Sequence, residues 1–239
     1  MPPTVNIPEK RYQLSERTLA RVQAVSGLVF ASFLVIHLLT ALAAVFGQGA
    51  FDGAMALGRR YYQVVPIELG VVLLSLVVHI AASVTRALRR RRRSNGELRR
   101  RGPALAVRLH RISAYFLLVV ITGHIVATRA PAVFAEIPIE FAYVNYTLVH
   151  VPAYFMPYYT VLFAAGAYHG LRGVWIALGV LEVSRPRWLT ALAQRGAPRT
   201  AAMLLVLGAI VVSALAGAWY SVDTTHHASY DALVERVFG

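Results

Sequence analysis

The chain has 239 residues, of which 57% are hydrophobic and 15% charged, where ordinary globular domains carry about 25% charged residues. Its mean hydropathy is +0.56, yet 24 Lys+Arg stand against 11 Asp+Glu for a formal charge of +13. A chain both apolar and basic must keep its charges in separate segments, which argues against a soluble domain and for an all-α polytopic membrane protein with basic loops.

The absent residues narrow the chemistry further. Without cysteine there is no disulfide, no thiolate-held iron–sulfur cluster and no Cys-x-x-Cys-His attachment of haem. No Gly-x-Gly-x-x-Gly or Walker-type loop provides a nucleotide site. Nucleic acid is a poor explanation of the positive charge, which lies mostly in short connections between apolar runs. Redox chemistry here would need electrons supplied by another protein.

A membrane span takes roughly 20 apolar residues, and five stretches meet that length: about residues 22–46, 64–85, 112–127 (extended inward through Val107), 154–181 and 201–220. They lack the two-residue alternation of a β-barrel, so helices are predicted. Arginine marks one side. Lys10, Arg11, Arg17 and Arg21 precede the first span, Arg86, Arg89–Arg93 and Arg99–Arg101 follow the second, and Arg185, Arg187, Arg195 and Arg199 follow the fourth. The other side has Arg59, Arg60, Arg129 and Arg236. The bias predicts residues 1–21 inside, a five-helix domain over residues 22–220, and residues 221–239 outside, in a cytoplasmic (inner) membrane.

No removable signal peptide is expected, because about twenty polar residues come before the first span. The Arg-rich run 86–101, with Ser94-Asn95-Gly96 as its turn, reads as a topology determinant, or as a docking surface for an acidic partner or anionic lipid. Tyr61, Tyr62, Phe134, Phe141, Tyr143, Tyr146, Tyr154, Tyr158 and Tyr159 cluster toward the outer side, as an interfacial belt or a ligand mouth.

Four histidines lie mid-span, His37, His79, His124 and His169, one on each of the first four helices. Each alone could be a bundle histidine bonded to a carbonyl; their depths argue for more. His37 lies 16 residues past Arg21 and His124 16 past Arg108, about 24 Å from the inner end. His79 lies 19 residues past Arg60 and His169 19 past His150, about 28 Å from the outer end. Two cross-helix pairs at matched depths are what two bis-histidine b haems require, with His37/His124 holding the outer iron and His79/His169 the inner one. Gly123, Gly166 and Gly170 would admit a porphyrin beside the backbone, or serve plain helix packing. Arg108, Arg111 and Arg172 could pair with the inner haem carboxylates, or snorkel to the interface. Four histidines on two levels do not converge on a single zinc ion.

This arrangement resembles the di-haem cytochrome b membrane anchor of succinate dehydrogenases and fumarate reductases, of the single-polypeptide type. The matching stretches are Phe33-Leu34-Val35-Ile36-His37, Leu76-Val77-Val78-His79, His110-Arg111-Ile112-Ser113-Ala114 with thirteen residues from Arg111 to His124, and His169-Gly170-Leu171-Arg172-Gly173-Val174-Trp175. The likeness covers about residues 15–220. It implies five helices with an inner and an outer haem b, a flavoprotein and an iron–sulfur subunit on the cytoplasmic side, and electron exchange with quinone. An oligomer of the whole complex is a further expectation. Some fumarate reductases have a glutamate two residues before the fourth ligand; here Ala167 stands there, which places a proton route of that kind in doubt.

For quinone the candidates are Glu68 and His150 near the outer surface, or His110, Arg111 and Ser113 near the inner one. His226 and His227 read as exposed tail residues. Two other functions fit the pattern less well: the haem b anchor of a hydrogenase, formate dehydrogenase or nitrate reductase, and a transporter or assembly scaffold with buried histidines.

Overall fold

A computed structural model describes residues 14–62, 65–93 and 104–238. Five helices are long and apolar enough to span a membrane: Glu16–Phe46, Glu68–Arg92, Leu105–Phe134, Pro152–Val180 and Ala197–Leu215. No strand occurs among the described residues. The chain is thus an all-helical, multi-pass membrane protein.

The spans depart from the hydropathy limits for identifiable reasons. The first begins at Glu16, six residues before the apolar run, because Ser15 caps it by accepting from the Thr18 amide at 3.0 Å. Glu16 then bonds Arg86 at 2.7 Å, which keeps the polar turn helical beside the second span. The fifth ends at Leu215 instead of residue 220, where Gly217 turns the chain with φ +79° and Val222 lies 3.0 Å from the position of a Cβ. The Arg-rich turn at Ser94-Asn95-Gly96 lies outside the described residues.

Three helices of ten or more residues were not anticipated from the sequence and lie at the end opposite the arginine-rich connections: Gln48–Tyr62, Phe141–His150 and His227–Phe238. They brace one another. Asp52 accepts from the Phe141 amide at 2.8 Å, and Arg59 pairs with Glu140 at 3.5 Å while donating to the Ile139 carbonyl. The Tyr146 hydroxyl donates to Asp231 at 2.6 Å.

The first span packs on the second and the fourth, and the fourth packs on the third and the fifth. The second and third touch only marginally, and at one end Arg129 closes their gap with a two-pronged contact to Glu68 at 2.6 and 2.9 Å. The four histidine-bearing helices therefore form a square whose diagonals are first-to-third and second-to-fourth. The largest apolar core lies to one side of that square, around Phe51, Phe141, Leu148, Phe163, Val211 and Leu215.

The fourth and fifth spans approach most closely at Gly208, where a Cβ would stand 2.9 Å from the Thr160 carbonyl and 3.3 Å from Phe163. Gly208→Ala should lower stability by about 1–3 kcal/mol through overpacking, read as a lower melting temperature in detergent. Gly58→Ala, where a Cβ would meet nothing within 4 Å, should leave that temperature unchanged or raise it.

Candidate functional site

The two diagonals of the square carry the four mid-span histidines. His37 faces His124 with ring centres 6.0 Å apart and planes crossing at 71°. His79 faces His169 with centres 6.3 Å apart and planes at 88°. The pairs expected from depth are thus the pairs the helices bring together.

The His79/His169 pair is held by groups on neighbouring helices. His79 Nδ1 lies 3.0 Å from the Gln23 carbonyl, which can only accept, so the proton sits on Nδ1 and the Nε2 lone pair is free. His169 Nδ1 lies 3.5 Å from the Ser113 hydroxyl, which itself donates to the His110 carbonyl at 3.0 Å. Fixing one ring nitrogen while freeing the other is how proteins orient a metal-binding imidazole. Gln23 continues outward: its amide donates to Ser83 at 2.7 Å and its oxygen accepts from Arg86.

Gly27, which the sequence reading passed over, makes this contact fit. A Cβ there would stand 2.8 Å from His79 Nδ1. A glycine in a mid-helix serine–glycine pair was the only signal available. Gly166 and Gly170 need a different account from the porphyrin cradle considered above, because they face Leu34 of the first helix, with Cβ positions 3.9 and 3.0 Å from it. Gly123, beside His124, opens onto space with nothing within 4 Å.

All four imidazoles keep accessible surface at the centre of the bundle, and His37 is exposed outright. An iron bound by two imidazole nitrogens at about 2 Å, each ring centre about 1 Å further back, separates the centres by roughly 6 Å. The observed separations of 6.0 and 6.3 Å agree with that value. In separation alone, each imidazole pair would fit a bis-imidazole iron. Among the described residues no group of three or more His, Cys, Asp or Glu side chains is arranged to hold a metal ion by itself.

The arginines divide. Arg108 and Arg111 are exposed at the arginine-rich end of the third span. Arg172 is 3% exposed and donates to the Ala193 carbonyl at 2.6 Å and to Gln194 at 2.8 Å, so it does not snorkel. Its Nε is buried without a partner, which leaves a donor for an anionic group. His110 stacks on His169 at 4.4 Å and 7°, with a buried and unpaired Nδ1.

The quinone candidates are scattered. Glu68 is not a free carboxylate in water, because Arg129 engages both of its oxygens. His150 lies in another cluster: it is exposed, stacks on Tyr146 at 4.0 Å, and Nδ1 donates to the Tyr146 carbonyl at 2.9 Å. His110 and Ser113 meet at the inner histidine pair, as above, while Arg111 points away to the surface. Tyr154, Tyr158 and Tyr159 form a stack with Phe155 at the start of the fourth span.

The terminal helix corrects one expectation. His226 is exposed, but His227 is half-buried, with Nε2 buried against Tyr146 and Tyr230. The helix docks through Tyr230, which is 1% exposed, so its register carries His227 inward. No pattern in the short tail separated the two histidines beforehand.

Comparison with known proteins finds no matching family model, no matching curated protein and no matching solved structure.

Burial, and then the neighbouring His150, hold the His227 imidazole below its usual range, opposed by the Ala142 backbone and the Asp231 carboxylate. Docking thus favours neutral His227, and its contribution is complete above the unfolded value near 6.5. It is lost as pH falls below that value. The hydrogen-exchange protection of residues 227–238, taken relative to the intrinsic rate at each pH, should fall between pH 7 and 5, and His227→Gln should remove most of that pH dependence.

Proposed function

We propose that this chain is the membrane anchor and electron-transfer subunit of a succinate:quinone oxidoreductase, holding two b haems through His37/His124 and His79/His169. One observation carries the reading: two imidazole pairs, 6.0 and 6.3 Å apart, on crossing diagonals of a four-helix square inside an apolar bundle. Bound there, each haem would supply a one-electron carrier within the membrane. The chain's own residues orient the imidazoles through Gln23 and Ser113, and Arg172 offers its unpaired donor to an inner carboxylate. The particular complex follows from the resemblance, which also implies the flavoprotein and iron–sulfur partners. We place the arginine-rich connections, and with them the partners, on the cytoplasmic side of the inner membrane.

The other haem b anchors are a weaker reading, since the related nitrate reductase type sets two ligands on each of two helices. The transporter or scaffold reading leaves the spacing of the pairs without a reason.

Single substitutions test the pairing. His37→Ala or His124→Ala should remove mainly one haem, and His79→Ala or His169→Ala mainly the other, so each pair shares one residual reduced spectrum. A different residual spectrum within either pair would overturn the assignment. In an assembled complex, His79→Ala should spare succinate oxidation by dyes acting on the soluble subunits, while succinate-to-quinone activity falls at least tenfold. Full quinone activity in that complex would show that the inner pair is dispensable.

A further inference from the structure

Away from the histidines, an open groove of about 500 Å³ runs between the first and second spans. Val25 and Val29 form one wall, and Val71, Leu74 and Val78 the other. Its two serines make no polar demand, because Ser26 donates to the Val22 carbonyl at 2.7 Å and Ser75 to that of Val72 at 2.9 Å. Gly70 keeps one end clear, since a Cβ there would meet nothing within 4 Å.

The other end carries Arg21, an exposed guanidinium that makes no hydrogen bond or ion pair among the described residues. One turn earlier on that face stands Arg17, whose only carboxylate contact among the described residues is Glu182 at 4.0 Å across exposed surface, a pairing too loose to neutralise it. Glu16 is occupied elsewhere, by Arg86.

We propose that this groove binds one anionic phospholipid, with an acyl chain along the valine walls and the phosphate on Arg21. One wall runs eight residues, Val22 to Val29, and the other nine, Gly70 to Val78. That is about 12 Å of helix, close to the ~15 Å hydrocarbon depth of one leaflet. Arg21 therefore stands where headgroups lie while the walls follow a single chain inward. A cation at the mouth of an apolar slot selects a lipid of net negative charge over a zwitterionic one. The site is independent of what the histidines hold.

Native mass spectrometry of the full chain tests this, after reconstitution in nanodiscs of equal phosphatidylglycerol and phosphatidylcholine. One phosphatidylglycerol should stay bound per chain, enriched about fivefold over phosphatidylcholine. Arg21→Gln should abolish the enrichment, and Arg199→Gln, a charge removed at the fifth span, should preserve it. Val29→Trp fills the slot and should release the lipid; the exposed Arg21 variant decides the matter if that one fails to fold. Equal retention of the two lipids, enrichment that survives Arg21→Gln, or an isoprenoid quinone as the molecule displaced by Val29→Trp would each overturn the proposal.

Discussion

An imidazole in the middle of an apolar bundle carries a donor and an acceptor that no water satisfies, and the chain must answer for both. For His79 the donor is answered by the Gln23 carbonyl of the neighbouring helix at 3.0 Å, with Gly27 making room, since a Cβ there would stand 2.8 Å from His79 Nδ1. For His169, Nδ1 lies 3.5 Å from the Ser113 hydroxyl on the third helix. These contacts hold two helices at fixed rotation, so the remaining nitrogens face the centre of the square. The packing of the first span on the second and fourth serves that rotation, and the separation of the second from the third follows from it.

The two pairs are built unequally. The His79/His169 pair rests on a polar network that reaches Arg86 and Glu16 at one end and the stacked His110 at the other. The outer pair has aromatic support: Phe33 stacks on His37 at 5.6 Å and 18°. If both hold haem, as proposed, positive charge and hydrogen bonding concentrate at the inner site, which would raise its reduction potential relative to a wholly apolar one. The braced helices Gln48–Tyr62, Phe141–His150 and His227–Phe238 cover the opposite end.

Much of the fold was legible because a membrane imposes length and hydropathy on every span. The five helices follow from counting along α-helical rise, whereas the count for His79 and His169 began at Arg60 and His150, which lie on the separate helices Gln48–Tyr62 and Phe141–His150 and so do not measure depth along the spans. What escaped the count depends on rotation and on contacts between distant segments. Hydropathy carries no sign that Glu68 meets Arg129, 61 residues away, or that His227 turns inward while His226 does not. Gly27 and Gly170 look alike in the sequence, yet one admits His79 and the other admits Leu34. The short outer helices lacked the length or hydrophobicity that flags a span.

The central claim is that the two imidazole pairs hold iron porphyrin. A pyridine haemochrome assay on the purified full chain, with protein quantified by amino-acid analysis, tests it most directly. The account predicts two haem b per chain. A chain that folds with its five spans intact and contains no haem would contradict it.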